Sequence, residues 1–125
     1  MKSLSKIIRS PRGTLNEFDF GDFKIKRMFV VSNVPAGSTR GYHAHKKTTQ
    51  YLCCINGSIE VTLDDGKKRS KYLLKKSEYL YQQELIWAEI TFLTENAELL
   101  TVCSTKHDEN DYIRDYEEFK KWKNC

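Results

Sequence analysis

GSTRGYHAHKKTTQYLCCING, residues Gly37 to Gly57, is the stretch whose reading decides the fold. Within it, Gly37 is followed after five residues by His43-Ala44-His45, after four more by Gln50, and after six more by Gly57. In an extended chain the side-chain period is two, so His43 and His45 face one side and Ala44 the other. Two imidazoles are then aimed at a common interior point, with glycines able to turn the chain at either end. Two surface histidines in a hairpin would account for the pair alone. The complete Gly-His-His-Gln-Gly frame points instead to a site.

Outward from this stretch the chain reads as a series of short strands. Residues 4–9 and 14–20 flank the turn Pro11-Arg12-Gly13. A longer strand is expected over Lys24 to Val34, ended by Pro35-Ala36-Gly37. Its alternation puts Ile25, Arg27, Phe29 and Val31 on one face, so Arg27 has apolar neighbours and needs either an ion-pair partner or a ligand. After the histidines, YLCCIN (51–56) is a strongly apolar strand, Asn56-Gly57 a hairpin signal and SIEVTL (58–63) a well-alternating strand. Asp64-Asp65-Gly66 marks the next hairpin. Further strands are expected over 69–74, 78–82, 86–93 and 97–104. Many short strands at close spacing argue an all-β sandwich or barrel. From Asp111 to Trp122 the pattern turns helical, with Tyr112, Ile113, Tyr116, Phe119 and Trp122 as an apolar stripe.

Composition narrows the function. A chain of 125 residues is expected to be one domain, residues 1–125. The net charge is only +4, with 21 basic residues interleaved among 17 acidic ones, so no nucleic-acid footprint stands out. No apolar run approaches the ~20 residues that span a bilayer. MKSLSKIIRSPRG has no uninterrupted apolar core and does not read as a secretion signal. Cys53, Cys54, Cys103 and Cys125 show no CxxC spacing; Cys53, Cys54 and Cys103 read as reduced core residues of a cytoplasmic protein.

The frame around His43-Ala44-His45 resembles the first signature of the cupin superfamily. That resemblance implies a jelly-roll type β-barrel with a site in its mouth, closed here by a short C-terminal helix. Cupins often bind a metal with two histidines, a carboxylate and a third histidine. In this chain Gln50 stands at the carboxylate position, His107 is the only other histidine, and no second signature is recognisable around residues 77–96. Two imidazoles and an amide are a poor set for zinc or iron, so neither metal nor cofactor is expected. The histidines are then free to carry protons near neutral pH.

A closer resemblance rests on Arg40-Gly41-x-His43-Ala44-His45-Lys46 with Gln50, Gly57-Ser58 and Val61-Thr62-Leu63-Asp64-Asp65-Gly66. It extends through Trp87-x-Glu89 and Asp108-Glu109-x-Asp111-Tyr112-Ile113-Arg114-Asp115-Tyr116. These motifs are similar to those of the sugar-nucleotide 3,4-ketoisomerases, the WxcM-like proteins, and cover the chain from Lys24 to Phe119. One departure is Gln82-Gln83, where many relatives carry a proline-containing loop.

The resemblance implies a dTDP-linked 4-keto-6-deoxy hexose as substrate, with the keto group moved from C4 to C3 through an enediol or enediolate. The product would feed deoxyamino-sugar and polysaccharide biosynthesis. It assigns His45 as the carbon base and His43 as the proton shuttle, and implies a homodimer with exchanged strands. Arg40 is placed to hold the pyrophosphate or the developing enediolate charge. Arg27, Tyr81 and Gln50 are further substrate-binding candidates, and Trp87 either stacks on the base or packs in the core. Two alternatives stay open: a non-catalytic cupin that binds sugar nucleotides, and a 4-keto sugar epimerase. A metal-dependent dioxygenase is disfavoured by Gln50.

Overall fold

Alternation of apolar and polar residues along most of the chain produces strands with one face turned inward. The computed structural model describes residues 2–124. Its strands are β1 Lys2–Leu4, β2 Lys6–Ser10, β3 Gly13–Glu17, β4 Arg27–Val31, β5 Thr39–His45, β6 Gln50–Asn56, β7 Ser58–Asp64, β8 Arg69–Lys75, β9 Glu78–Gln82, β10 Trp87–Phe92, β11 Glu98–Cys103 and β12 Tyr112–Ile113, before helix α1, Tyr116–Lys123. One sheet has the order β1-β9-β6-β11-β4, a second β12-β5-β10-β7-β8, and β2 with β3 forms a separate hairpin. All the strand pairs are antiparallel.

Between Thr39 and Cys103 the chain crosses from sheet to sheet at nearly every turn, which is jelly-roll wiring. Asn56-Gly57 makes such a corner. The sequence reads it as a hairpin, yet β6 and β7 belong to different sheets. Gly57 has φ +65°, and a Cβ there would stand 2.3 Å from the Thr94 Oγ1 and 2.7 Å from the Ala97 Cα, so the corner tolerates only glycine. Asp64-Asp65-Gly66 is a true hairpin, joining β7 to β8.

Leu52, Ile59, Val61, Leu74, Leu80 and Phe92 fill the space between the sheets, each no more than 1% exposed. Burying an aliphatic or aromatic side chain of this size contributes about 1.5–3 kcal/mol. A second cluster lies on the outer face of the β5–β10 sheet, where Ala44, Trp87, Ile113 and Phe119 pack together beneath α1. Ala44 faces this cluster because its neighbours His43 and His45 face the other way.

The tail departs from the helix expected over Asp111 to Trp122. Residues Glu109–Asp111 form a single 3-10 turn, and Tyr112–Ile113 pairs with His45 and Ala44 of β5. The helix starts only at Tyr116, capped by the Asp115 carboxylate, which accepts from the Glu118 amide at 3.3 Å. Side-chain bonds of Asp111, described below, pin the preceding segment in extended form. No helix of the described residues is long and apolar enough to cross a membrane.

Candidate active site

β5 delivers both histidines to one end of the space between the sheets. There a cavity of about 100 Å³ is lined by Arg40, His43, His45, Gln50 and Tyr112 on its polar side, with Phe29, Val31, Leu52, Ile90 and Phe92 among its apolar walls. The His43 and His45 rings lie edge to face with centroids 5.1 Å apart. Tyr112 touches both, 5.1 Å from His43 and 4.5 Å from His45.

His45 is only 2% exposed and has a fixed partner. Its Nδ1 lies 2.9 Å from Oδ2 of Asp111, a carboxylate 7% exposed. Asp111 is itself held from three directions. Oδ2 accepts from the Thr48 hydroxyl at 2.5 Å, Oδ1 accepts from the Lys47 backbone N–H at 2.7 Å, and the Asp111 carbonyl accepts from the Lys46 N–H at 2.8 Å. Burial alone would raise the Asp111 pKa, but the bonds from Thr48, His45 and Lys47 together hold it below the ordinary carboxylate value. An ionised carboxylate only accepts, so Nδ1 of His45 carries the proton and Nε2 keeps a free lone pair.

Both imidazoles are pushed towards the neutral form. For His45 burial lowers the pKa, with the Arg27 and Arg114 charges adding to it and Asp111 opposing. For His43 burial again dominates, His45 and Arg114 add to it, and the pKa falls to about 4. His43 Nδ1 is buried without a hydrogen-bond partner among the described residues. Two neighbouring neutral bases, one with a carboxylate behind it, are equipped to take a proton from carbon and to relay one between oxygens.

The other expected residues are distributed unevenly. Arg40 lines the cavity and has no side-chain partner among the described residues. Arg27 does not line the cavity but touches two residues that do: Nη2 donates to the Tyr112 hydroxyl at 3.3 Å and its guanidinium lies over Phe29, while Nη1 is 2.7 Å from the His107 Nδ1. No carboxylate pairs with it among the described residues, so the ion-pair explanation for Arg27 does not hold. Gln50 lines the cavity while its Nε2 donates to Gln82 at 2.8 Å, and Gln82 donates in turn to the Ile86 carbonyl at 3.0 Å.

Tyr81 and Trp87 do not line this cavity. Tyr81 packs with Tyr51 and Phe23 at ring separations of 5.0 and 6.5 Å. Trp87, 3% exposed, points to the outer cluster because it precedes Ala88 by one residue, and its Nε1 donates to Glu89 at 3.0 Å. It is a packing residue. Conversely, sequence reading missed Asp111, Tyr112 and Thr48 as site residues. Asp111-Tyr112 stood in the recognised tail motif but was assigned to a helix.

Among the described residues, no group of three or more His, Cys, Asp and Glu side chains is arranged to hold a metal ion. A cupin barrel with a buried His–Asp pair and a second histidine at one end defines the class: a cupin with a small-molecule cavity carrying two neutral imidazoles. The family model described as FdtA: WxcM-like, C-terminal, matches residues 1–124. A TDP-4-oxo-6-deoxy-alpha-D-glucose-3,4-oxoisomerase from Aneurinibacillus thermoaerophilus is 38% identical over 101 residues, 80% of this chain and 73% of that protein. Among solved structures, the sugar 3,4-ketoisomerase QdtA from Thermoanaerobacterium thermosaccharolyticum in complex with TDP is similar at TM-score 0.91 and 34% identity, over 99% of this chain and 93% of that one. A mutant of QdtA in complex with TDP-4-keto-6-deoxyglucose gives TM-score 0.91 and 33% identity over the same shares, 99% and 93%. The chain belongs to the FdtA, WxcM-like family of sugar 3,4-ketoisomerases.

Proposed function

We propose that this protein moves the keto group of a TDP-linked 4-keto-6-deoxy hexose from C4 to C3 without a metal or other cofactor. The observation that carries the mechanism is the His45–Asp111 bond, which leaves Nε2 of a neutral imidazole as the free base. Nε2 removes the C3 proton, and the C–H electrons move to form an enediolate whose negative charge sits on O4. His43, with no competing partner at Nδ1, passes the O3 proton to O4. The imidazolium of His45 returns a proton to C4, leaving the carbonyl at C3. Each positioned proton transfer of this kind contributes roughly 10²–10⁴-fold in rate.

Arg40 and Arg27 supply positive charge at the cavity for the pyrophosphate and the enediolate oxygen. Gln50 contributes a polar contact on the cavity wall. The protein acts in the cytoplasm, a reading supported by the free thiols of Cys53, Cys54 and Cys103. It acts as a homodimer, which would cover Leu4, Ile8 and Leu15, apolar side chains exposed on the N-terminal strands. The reading is tested by incubating the protein with TDP-4-keto-6-deoxyglucose and following the sugar by NMR. A 3-keto-6-deoxy product is expected. A sugar that is bound but returned unchanged, or only epimerised, refutes the proposal.

A further inference from the structure

The register of β5 against β10 is broken at one place. Thr39 pairs with Thr91, Arg40 with Ile90 and Gly41 with Glu89, but the next residue of β10, Ala88, pairs with His43. Tyr42 is therefore an extra residue with no partner across the ladder, the signature of a β-bulge. Gly41 has φ +97° and Tyr42 φ +56°, and the Tyr42 side chain is 49% exposed. A Cβ on Gly41 would stand 2.9 Å from the Ala88 carbonyl oxygen, a backbone atom that cannot swing away.

This extra residue decides which side chains share a face. Arg40 and His43 are three apart, and in a regular strand an odd separation puts them on opposite faces. Here Arg40 sits opposite Ile90 and His43 opposite Ala88, and all four line the cavity. Thr39, opposite Thr91, faces the other way, where the two hydroxyls bond at 2.8 Å. Without the bulge, His43 opposite Ala88 would put Tyr42 opposite Glu89, Gly41 opposite Ile90 and Arg40 opposite Thr91, away from the cavity.

We infer that Gly41 and Tyr42 are positioning residues: their bulge shifts the phase of β5 by one residue so that Arg40 joins His43 and His45 on the substrate face. Gly41 supplies the conformation and the close approach, and Tyr42 supplies the extra residue. The inference rests on the proposal that this cavity takes a nucleoside diphosphate sugar through Arg40. It separates from that proposal because it concerns the spacing of Arg40 from His43, whatever the histidines do.

The experiment measures TDP affinity by calorimetry, with thermal unfolding of each variant recorded alongside. Arg40→Ala in the natural chain is expected to weaken TDP binding by roughly tenfold to a hundredfold, the loss of a charge-assisted contact. Unchanged affinity there removes Arg40 from the ligand site and overturns the inference, while the TDP binding it records leaves the proposed substrate class standing. Gly41→Val favours a regular extended strand and should weaken binding as far as Arg40→Ala does. Deleting Tyr42 in the Gly41→Val background should restore affinity, because Arg40 then lies two residues from His43 and returns to the cavity face.

Deleting Tyr42 alone keeps the pairs at Thr39, Arg40, Gly41 and His43 consecutive, so it should retain TDP binding that Arg40→Ala still weakens to the same extent as in the natural chain. If Gly41→Val fails to fold, this deletion decides the matter. The inference is overturned if the Tyr42 deletion folds but loses TDP affinity. It is equally overturned if the deletion cannot fold, since the extra residue would then be needed for something other than phase. Failure of the double change to bind better than Gly41→Val alone also overturns it.

Discussion

Replacing Asp111 by asparagine should change which nitrogen of His45 carries the proton. The carboxylate accepts three bonds, from the Lys47 N–H, the Thr48 hydroxyl and the His45 Nδ1–H. An amide of the same shape has one accepting oxygen and one donating nitrogen. The Lys47 backbone N–H can only donate, so it claims the amide oxygen. The amide nitrogen then faces the Thr48 hydroxyl and the His45 Nδ1, both of which can accept. His45 is thereby switched to the tautomer protonated on Nε2, and the lone pair facing the substrate is lost.

The expected cost is the contribution of one positioned general base, roughly 10²–10⁴ in kcat, with KM changed far less because Arg40 is untouched. Losing charge-assisted bonds to a buried carboxylate should also lower stability by about 1–3 kcal/mol. The decisive assay is NMR in D2O, scoring both turnover and solvent exchange at C3 of the substrate. Asp111→Asn should lose both while still binding TDP and unfolding cooperatively. Wild-type exchange at C3 in this variant would refute the orienting role of Asp111 and with it the base assigned to His45.

Other outcomes follow from the same geometry. His45→Asn should abolish turnover and C3 exchange, whereas His43→Asn should cut turnover yet leave slow C3 exchange; the opposite pattern in the NMR assay would swap the two roles. Arg40→Ala should weaken TDP binding more than Lys67→Ala, in an exposed turn, or Lys75→Ala, at the exposed end of β8, and equal affinities in calorimetry would remove Arg40 from the site. Chelator-treated protein should keep its full rate, and activity that zinc or iron restores would contradict a purely histidine-based mechanism. The lowered pKa of His43, about 4, implies that the unfolded chain binds more protons than the folded one between roughly pH 4 and 6.5, so stability falls as pH drops through that window. Between pH 7 and 5 this amounts to roughly 2 kcal/mol, and thermal melts of His43→Asn should show a correspondingly shallower pH dependence.

Much of the barrel was legible because most strands carry their own alternation and β6 a short apolar run. The Gly66 turn was equally readable as a local signal. The Asn56-Gly57 turn was located correctly but joins strands of different sheets, and nothing local distinguishes a corner from a hairpin. The histidine pair was legible because two residues on one strand need only parity to share a face. Arg40 broke that parity, and its arrival in the cavity depends on a bulge that only the register with β10 reveals. The tail was misread for a related reason. Tyr112, Ile113, Tyr116 and Phe119 have helical spacing, but Tyr112 and Ile113 are held extended by pairing with β5 and by the anchoring of Asp111. Trp87 could not be assigned from sequence, since either face of β10 meets apolar partners; its position one residue from Ala88 puts it under α1.

The two histidines also show how one short segment yields two different groups. They are two residues apart, sit on one face and are both buried enough to favour neutrality. What separates them is the chain 66 residues later, where Asp111 reaches His45. Behind His45 stands a hydrogen-bonded carboxylate that welcomes an imidazolium; His43 has no such bonded partner among the described residues, only the weaker pull of the Glu109 charge. A proton entering the site is therefore stabilised on His45 and repelled from His43, each imidazolium disfavouring the other across a 5.1 Å separation. A base that must hold a carbon-derived proton through the lifetime of an enediolate needs the first environment. A relay that must give its proton up at once is better served by the second. The C-terminal tail thus distinguishes the two members of the His-Ala-His block, and on the proposed mechanism the 3-10 turn with β12 that pins Asp111 belongs to the catalytic machinery as much as β5 does.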